Sequence, residues 1–210
     1  MLICRCFDQL EHAEEFVDGK IRMMSLKYYH EKEADDNGRK DKFEGAQKLL
    51  QGDQTVIVID GHEITKANGL VSVVLHGVEH EKNTKICCCT ALPVTDRIEN
   101  IDSLSQFKLP YCVLFSDPNE FLFRFRNAAK GMHYATGKVT FYDESTYNGS
   151  LNEFMKPSSF EWQHEFRLTL WSTENDPFYL DVGDMHDIAK IYKTDELVKF
   201  LNEAQIKREN

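Results

Sequence analysis

Apolar and polar positions alternate from Leu2 to Phe7, and this period of two predicts a short strand. Asp8 follows, with Glu11 three residues on, a capping-box arrangement that opens a helix with Leu10, Ala13, Phe16 and Val17 on its apolar face. Gly19 supplies a left-handed stop, and residues 21–29 read as a second extended run with Ile21, Met23, Ser25, Lys27 and Tyr29 on one side. The opening unit is therefore strand, helix, strand.

From Glu31 to Gly52 the pattern turns polar, and Asp35-Asp36-Asn37-Gly38 marks a turn, so the longest irregular surface excursion is predicted there. Two β-rich runs, from Thr55 to Ile59 and from His62 to Thr65, flank Asp60-Gly61, the short-range signature of a hairpin. Further strands are predicted at 70–75, 85–92, 111–115, 138–142, 165–171, 178–182 and 188–192. Asp117-Pro118 begins a helix in the favoured cap-then-proline order, closing at Gly131. Thr194 caps a last helix whose Leu197, Val198, Leu201 and Ala204 face inward. Strands outnumber helices without regular βαβ alternation, which predicts an α+β fold: a single domain over residues 1–210, with a mostly antiparallel or mixed sheet and a few flanking helices.

Composition supports a chain that folds alone, since 41% hydrophobic residues provide a core and no Pro/Ser-rich stretch offers a boundary. A formal charge of -10 opposes non-specific binding to nucleic acid or an anionic membrane. Arg124, Arg126 and Lys130 beside Phe121, Phe123 and Phe125 are the nearest approach to a basic groove, although those aromatics read more simply as the buried side of a helix. All six cysteines sit in apolar runs without a Cys-x-x-Cys pair, the pattern of reduced, buried thiols. With no signal-peptide pattern and no apolar run near about 18 residues, the expected location is the cytoplasm. No coiled-coil heptads occur, so nothing in the pattern predicts an oligomeric state.

The chain lacks a glycine-rich phosphate loop, a Gly-x-Gly-x-x-Gly turn, a Gly-x-Ser-x-Gly elbow and a His-Glu-x-x-His motif. His76 and His80 have helical spacing but fall where a strand end and a turn are predicted, so no metal site is expected. Two polar clusters remain. At the junction Phe160-Glu161-Trp162-Gln163-His164-Glu165-Phe166-Arg167, strand periodicity places Gln163, Glu165 and Arg167 on one face; the plain reading is an exposed face laced by a Glu165–Arg167 ion pair. Around the polar excursion, Tyr28 and Tyr29 could stack on a base and Arg39 could meet a phosphate, or the segment is simply a solvated charged loop.

Taken in chain order, Arg5, Ser25 with Tyr28 and Tyr29, and Gln163-His164-Glu165 resemble the three elements of an ADP-ribosyltransferase core. That core carries Arg or His on one strand, Ser or Tyr on a second, and Gln-x-Glu late in the chain; where it has Ser-Thr-Ser, this chain has Ser25-Leu26-Lys27. The chain is also similar to an uncharacterised family of bacterial and phage proteins through 19–29, 39–45, 85–92 and 156–167. The transferase resemblance implies NAD in a cleft between the early strands and the late junction. Glu165 would stabilise an oxocarbenium ion as nicotinamide leaves, and Gln163 would position the acceptor. Arg5 would hold the phosphates, Ser25 would support the pocket and Tyr29 would stack on nicotinamide, with Tyr28, Arg39 and Arg167 completing the cofactor-binding set. The alternative is a non-catalytic module that inhibits or senses a host factor or a nucleotide ligand, its acidic surface steering a basic protein partner.

Overall fold

The computed structural model describes residues 1–31, 41–95 and 97–206. Strand β1 is Leu2–Phe7, and helix α1 follows at Leu10–Val17. The helix begins one position later than the capping box predicts: Gln9 is the cap, with no side-chain bond, and Asp8 instead meets His12 Nδ1 at 3.0 Å. Gly19, at φ +99°, reverses the chain where a Cβ would lie 2.2 Å from the carbonyl oxygen of Gly183. Strand β2 is Lys20–Ser25, shorter than the extended run predicted to Tyr29, because the backbone coils into helix α2 at Leu26–Glu31. Ser25 makes the transition: its Oγ accepts the amide N–H of Tyr28 at 3.1 Å.

Arg39 and the Asp35-Asp36-Asn37-Gly38 turn lie outside the described residues. The latter part of the expected excursion is not irregular, since Ala46–Gln51 forms strand β3. Strands β4 (Ile57–Ile59) and β5 (His62–Ile64) make the predicted hairpin, with Asp60 at φ 50° and Gly61 at φ 80°. Strand β6 (Ser72–His76) pairs with β3, and helix α3 (Val78–Asn83) occupies the place of the turn expected around His80. Strand β7 (Thr84–Leu92), helix α4 (Ser103–Gln106) and strand β8 (Tyr111–Phe115) follow. Helix α5 (Pro118–Ala128) starts as predicted, with the Asp117 carboxylate accepting the amides of Asn119 and Glu120, each at 3.0 Å. Its Phe121 and Phe125 are buried, and Arg124 is tied to Glu120 and Asp187 rather than free in a basic groove. The remaining elements are β9 (Tyr134–Lys138), β10 (Thr140–Tyr142), β11 (Gly149–Ser150), β12 (Met155–Pro157), β13 (Glu165–Trp171), β14 (Phe178–Asp181), β15 (Ala189–Lys193) and α6 (Thr194–Ile206).

These elements make a mixed α+β domain in which strand pairing is antiparallel except between β10 and β12. Strand β7 organises the main sheet. Its Thr90 stands opposite both Cys4 and Glu165, and its Ile86 opposite both Met24 and Thr169. Strands β1 and β2 therefore share one edge of β7, while β13 takes the other along its length. On the shared edge β1 pairs as far as Thr90 and β2 only from Ile86, so the two strands diverge across Cys87-Cys88-Cys89 and leave a fork in the sheet.

Register also fixes the two faces. Ile3, Cys87, Cys89, Ala91, Phe166 and Leu168 point into the larger core, beneath Phe16 of α1 and Phe121 and Phe125 of α5. Cys4, Leu92 and Cys112 point the other way, packing with Leu104 of α4 and with Leu197 and Leu201 of α6. All six cysteines are free thiols. Among the described residues no helix is long and apolar enough to cross a membrane.

Candidate functional site

The late junction folds into a buried ion network rather than an open cleft. Ser158–Gln163 makes a 3-10 turn, His164 adopts a left-handed φ of 45°, and β13 then starts at Glu165. Alternation sends Glu165 and Arg167 to one face, as the sequence predicts, and Arg167 Nε donates to Glu165 Oε1 at 2.6 Å. That face is covered. Arg167 is 0% exposed and grips Glu44 with both terminal nitrogens at 2.7 Å, the parallel geometry that suits guanidinium to carboxylate. Lys156 Nζ stands 2.7 Å from Glu165 Oε2, at an angle that makes it an ion pair rather than a directed hydrogen bond, and it donates to Gln163 Oε1 at 3.2 Å.

Two cations and two carboxylates thus balance inside the protein. Burial would raise the Glu165 pKa, but Arg167 and Lys156 overcome it and hold the carboxyl well below the usual range. Asp41, beside the network, goes the other way: burial and then the charge of Glu44 push it up to about 6. Glu165 Oε1 accepts from Arg167 while Oε2 faces the Lys156 ammonium without a hydrogen bond, and the residue is 4% exposed. Gln163 is buried with it.

Arg5 does not meet this cluster. Cys4 and Glu165 flank Thr90 in one row, so Arg5, the next residue along β1, points to the opposite face of the sheet. There its guanidinium donates to Cys87 Sγ and lies 5.3 Å and 5.1 Å from the ring centres of Phe7 and Phe16. Burial would raise the Cys87 thiol, yet a hydrogen bond from Cys89 and the charge of Arg5 draw it below its ordinary value. Ser25 belongs to a third cluster, where its Oγ donates to Asp176 Oδ2 at 2.5 Å and the buried Lys85 reaches Asp176 Oδ1 at 2.7 Å. Tyr28 and Tyr29 sit edge to face at 5.3 Å on α2. The expectation that Arg5, Ser25 and Glu165 line one pocket is thus corrected by strand register, which separates Arg5 from Glu165 by the thickness of the sheet.

The fork holds a cavity of about 250 Å³. Arg5, Lys20, Arg22 and Tyr29 line it together with His12 and Phe16, while Asp8 and Glu15 form its acidic part. Among the described residues no carboxylate pairs with Arg5, Lys20 or Arg22, whereas Asp8 is already engaged with His12. Burial raises the Tyr29 hydroxyl far above its ordinary value, so it stays protonated and able to donate. A wider cleft of about 550 Å³ lies on the far side of the junction, lined by Trp162, His164 and the segment around Asp102. It has one arginine, Arg97, against Glu99 and Asp102.

The sequence pattern does not mark Lys156, Lys20 or Arg22 as site residues, and it places Glu44 in the charged segment 39–45 rather than against the late junction. Lys20 and Arg22 carried a signal, since both alternate outward along β2 while Ile21 and Met23 are buried. The pairing of Glu44 with Arg167 leaves no local trace, because the two lie more than a hundred positions apart. No family model matches the chain, and neither a curated protein nor a solved structure matches it, so the chemistry of the site rests on its own geometry.

Proposed function

We propose that the protein binds a phosphorylated, nucleotide-type small molecule in the fork between β1 and β2, and does so without group transfer. One observation carries this reading: three cationic side chains, Arg5, Lys20 and Arg22, converge on a single cavity with no carboxylate partner among the described residues. Asp8 and Glu15 offset part of that charge and leave the lining formally cationic, a local positive spot on a chain of net charge -10 that would attract an anion. Arg5 and Arg22 supply donors that match phosphate oxygens, and Tyr29 supplies a ring and a hydroxyl for a sugar or base. A volume of about 250 Å³ holds a phosphate with a ribose or one ring, so a dinucleotide such as NAD would bind through one half only.

A transferase would need a carboxylate facing that ligand. Glu165 does not line this cavity and faces Arg167 and Lys156 with its two oxygens, which favours binding without catalysis. Calorimetric titration with ADP-ribose, AMP, NAD and inorganic phosphate tests the proposal. Binding is expected for at least one of them, weakened about tenfold or more in Arg22→Ala and in Arg5→Gln, each loss corresponding to about 1.4 kcal/mol. If none of the four binds, or both variants bind like the parent, the assignment of the fork is wrong. Release of nicotinamide from NAD, abolished by Glu165→Gln in a protein that remains folded, would instead restore the transferase reading.

A further inference from the structure

Three side chains that the ligand cavity does not use converge on one point beside it. His30 on α2, His76 at the end of β6 and Glu81 on α3 are brought together by the packing of α2 on α3. His30 Nδ1 lies 2.8 Å and His76 Nδ1 2.6 Å from the same oxygen, Glu81 Oε1. The two imidazoles stack with ring centres 4.4 Å apart and planes 9° from parallel, and each brings its Nδ1 to the carboxylate. All three donor atoms fall within 4.8 Å of one another. We propose that His30, His76 and Glu81 form a binding site for a divalent transition-metal ion of the zinc type.

The donor set suits such an ion: two imidazole nitrogens and one carboxylate oxygen leave a fourth tetrahedral position for water or a ligand. Bonds of about 2.0–2.1 Å require ligand edges of about 3.3 Å, so the carboxylate would retreat by about 0.5–0.7 Å and the stacked rings would tilt until both Nδ1 lone pairs meet on one ion. Surroundings allow both entry and that small motion. Side-chain exposure is 36% at His30, 22% at His76 and 11% at Glu81, so the open side faces solvent while the carboxylate is anchored within. Gly45, at φ 78°, clears the space behind it, since a Cβ there would come within 2.9 Å of Glu81 Cγ. Coordination through Nδ1 needs each imidazole neutral with its proton on Nε2. One carboxylate and two neutral rings around a divalent ion leave a net charge of +1, favourable on an acidic chain.

Zinc titration of the full chain, stripped with a chelator and followed by competition with a chromophoric indicator, tests the site. One equivalent is expected to bind, and His76→Ala and Glu81→Gln are each expected to weaken it by at least about the 10–100-fold that loss of an outer-shell partner costs. His30→Gln, at the most exposed member, serves as the variant least able to disturb folding, and melting curves without zinc check each protein. Cobalt provides the second readout: a visible absorption band of four-coordinate cobalt should appear with the parent and vanish with each variant. Zinc binding that survives in all three variants would place the ion elsewhere, for instance on the thiols, and overturn the proposal. Failure of zinc to bind at about 10 μM, or binding without the cobalt band, would overturn it equally. Neither outcome touches the fork, whose residues are not altered.

Discussion

Replacing Glu165 with Gln should unfold a large part of the protein's stability margin without touching the ligand cavity. Glutamine keeps the shape, and its carbonyl oxygen can still accept from Arg167 Nε, which stands 2.6 Å from Oε1. At the other position, 2.7 Å from Lys156 Nζ, an amide NH₂ would face an ammonium, donor against donor. The buried network would then hold two cations, Arg167 and Lys156, against Glu44. Breaking a buried pair by removing one partner costs about 3–5 kcal/mol. Against a total of about 5–15 kcal/mol for a natural domain, that is a major loss. Urea unfolding followed by tryptophan fluorescence reads it well, because Trp162 lies just before β13 and Trp171 ends it. Adding Lys156→Met to Glu165→Gln should recover part of the loss by restoring charge balance. Glu144→Gln, at an exposed pair with Lys42 3.5 Å away, should cost no more than about 1 kcal/mol. A Glu165→Gln cost below about 1 kcal/mol would refute the structural role assigned to this carboxylate.

Further consequences follow from other side chains. Asp41, held at about 6, contributes stability that is complete below its unfolded value and lost as pH rises through 6. Asp41→Asn, whose amide oxygen can still accept the Phe43 N–H at 2.8 Å, should therefore raise the free energy of urea unfolding at pH 8 by up to about 3 kcal/mol, and leave it unchanged near pH 4. Glu165 has the opposite sign: its depressed pKa stabilises the fold above the ordinary glutamate range, and that stability falls as acid is added. Asp117→Ala should cost about 1 kcal/mol in melting experiments, since it leaves the amides of Asn119 and Glu120 without their acceptor. Gly19→Ala should cost more than about 1 kcal/mol, because the added methyl meets the Gly183 carbonyl in a left-handed backbone; an unchanged melting temperature would contradict the turn geometry.

What was legible in the chain was local. The Asp60-Gly61 hairpin, the Asp117-Pro118 helix start and the Gly19 reversal each depend on a few adjacent residues, and the structure contains them. Strand β2 was read too long because Lys27 and Tyr29 continue the alternation, while the Ser25 hydroxyl that captures the Tyr28 amide leaves no periodic trace. Strand β3 was missed because Gln47 and Lys48 look like loop residues, although Ala46 and Leu49 anchor it in a small separate core. The Glu165–Arg167 pair was visible as an i, i+2 face, but its burial was not, since the cover comes from Glu44 and Lys156. The same holds for His30, His76 and Glu81, which only tertiary packing of α2 and α3 assembles.

The central claim is that ligand enters the fork between β1 and β2 and leaves the buried Glu165–Arg167 network untouched. Hydrogen–deuterium exchange in the presence and absence of ADP-ribose tests it in one experiment. Protection is expected over 5–8, 20–22 and around Tyr29, with exchange at 163–167 unchanged. Protection confined to 163–167 and Lys156, with none along β1 and β2, would contradict it.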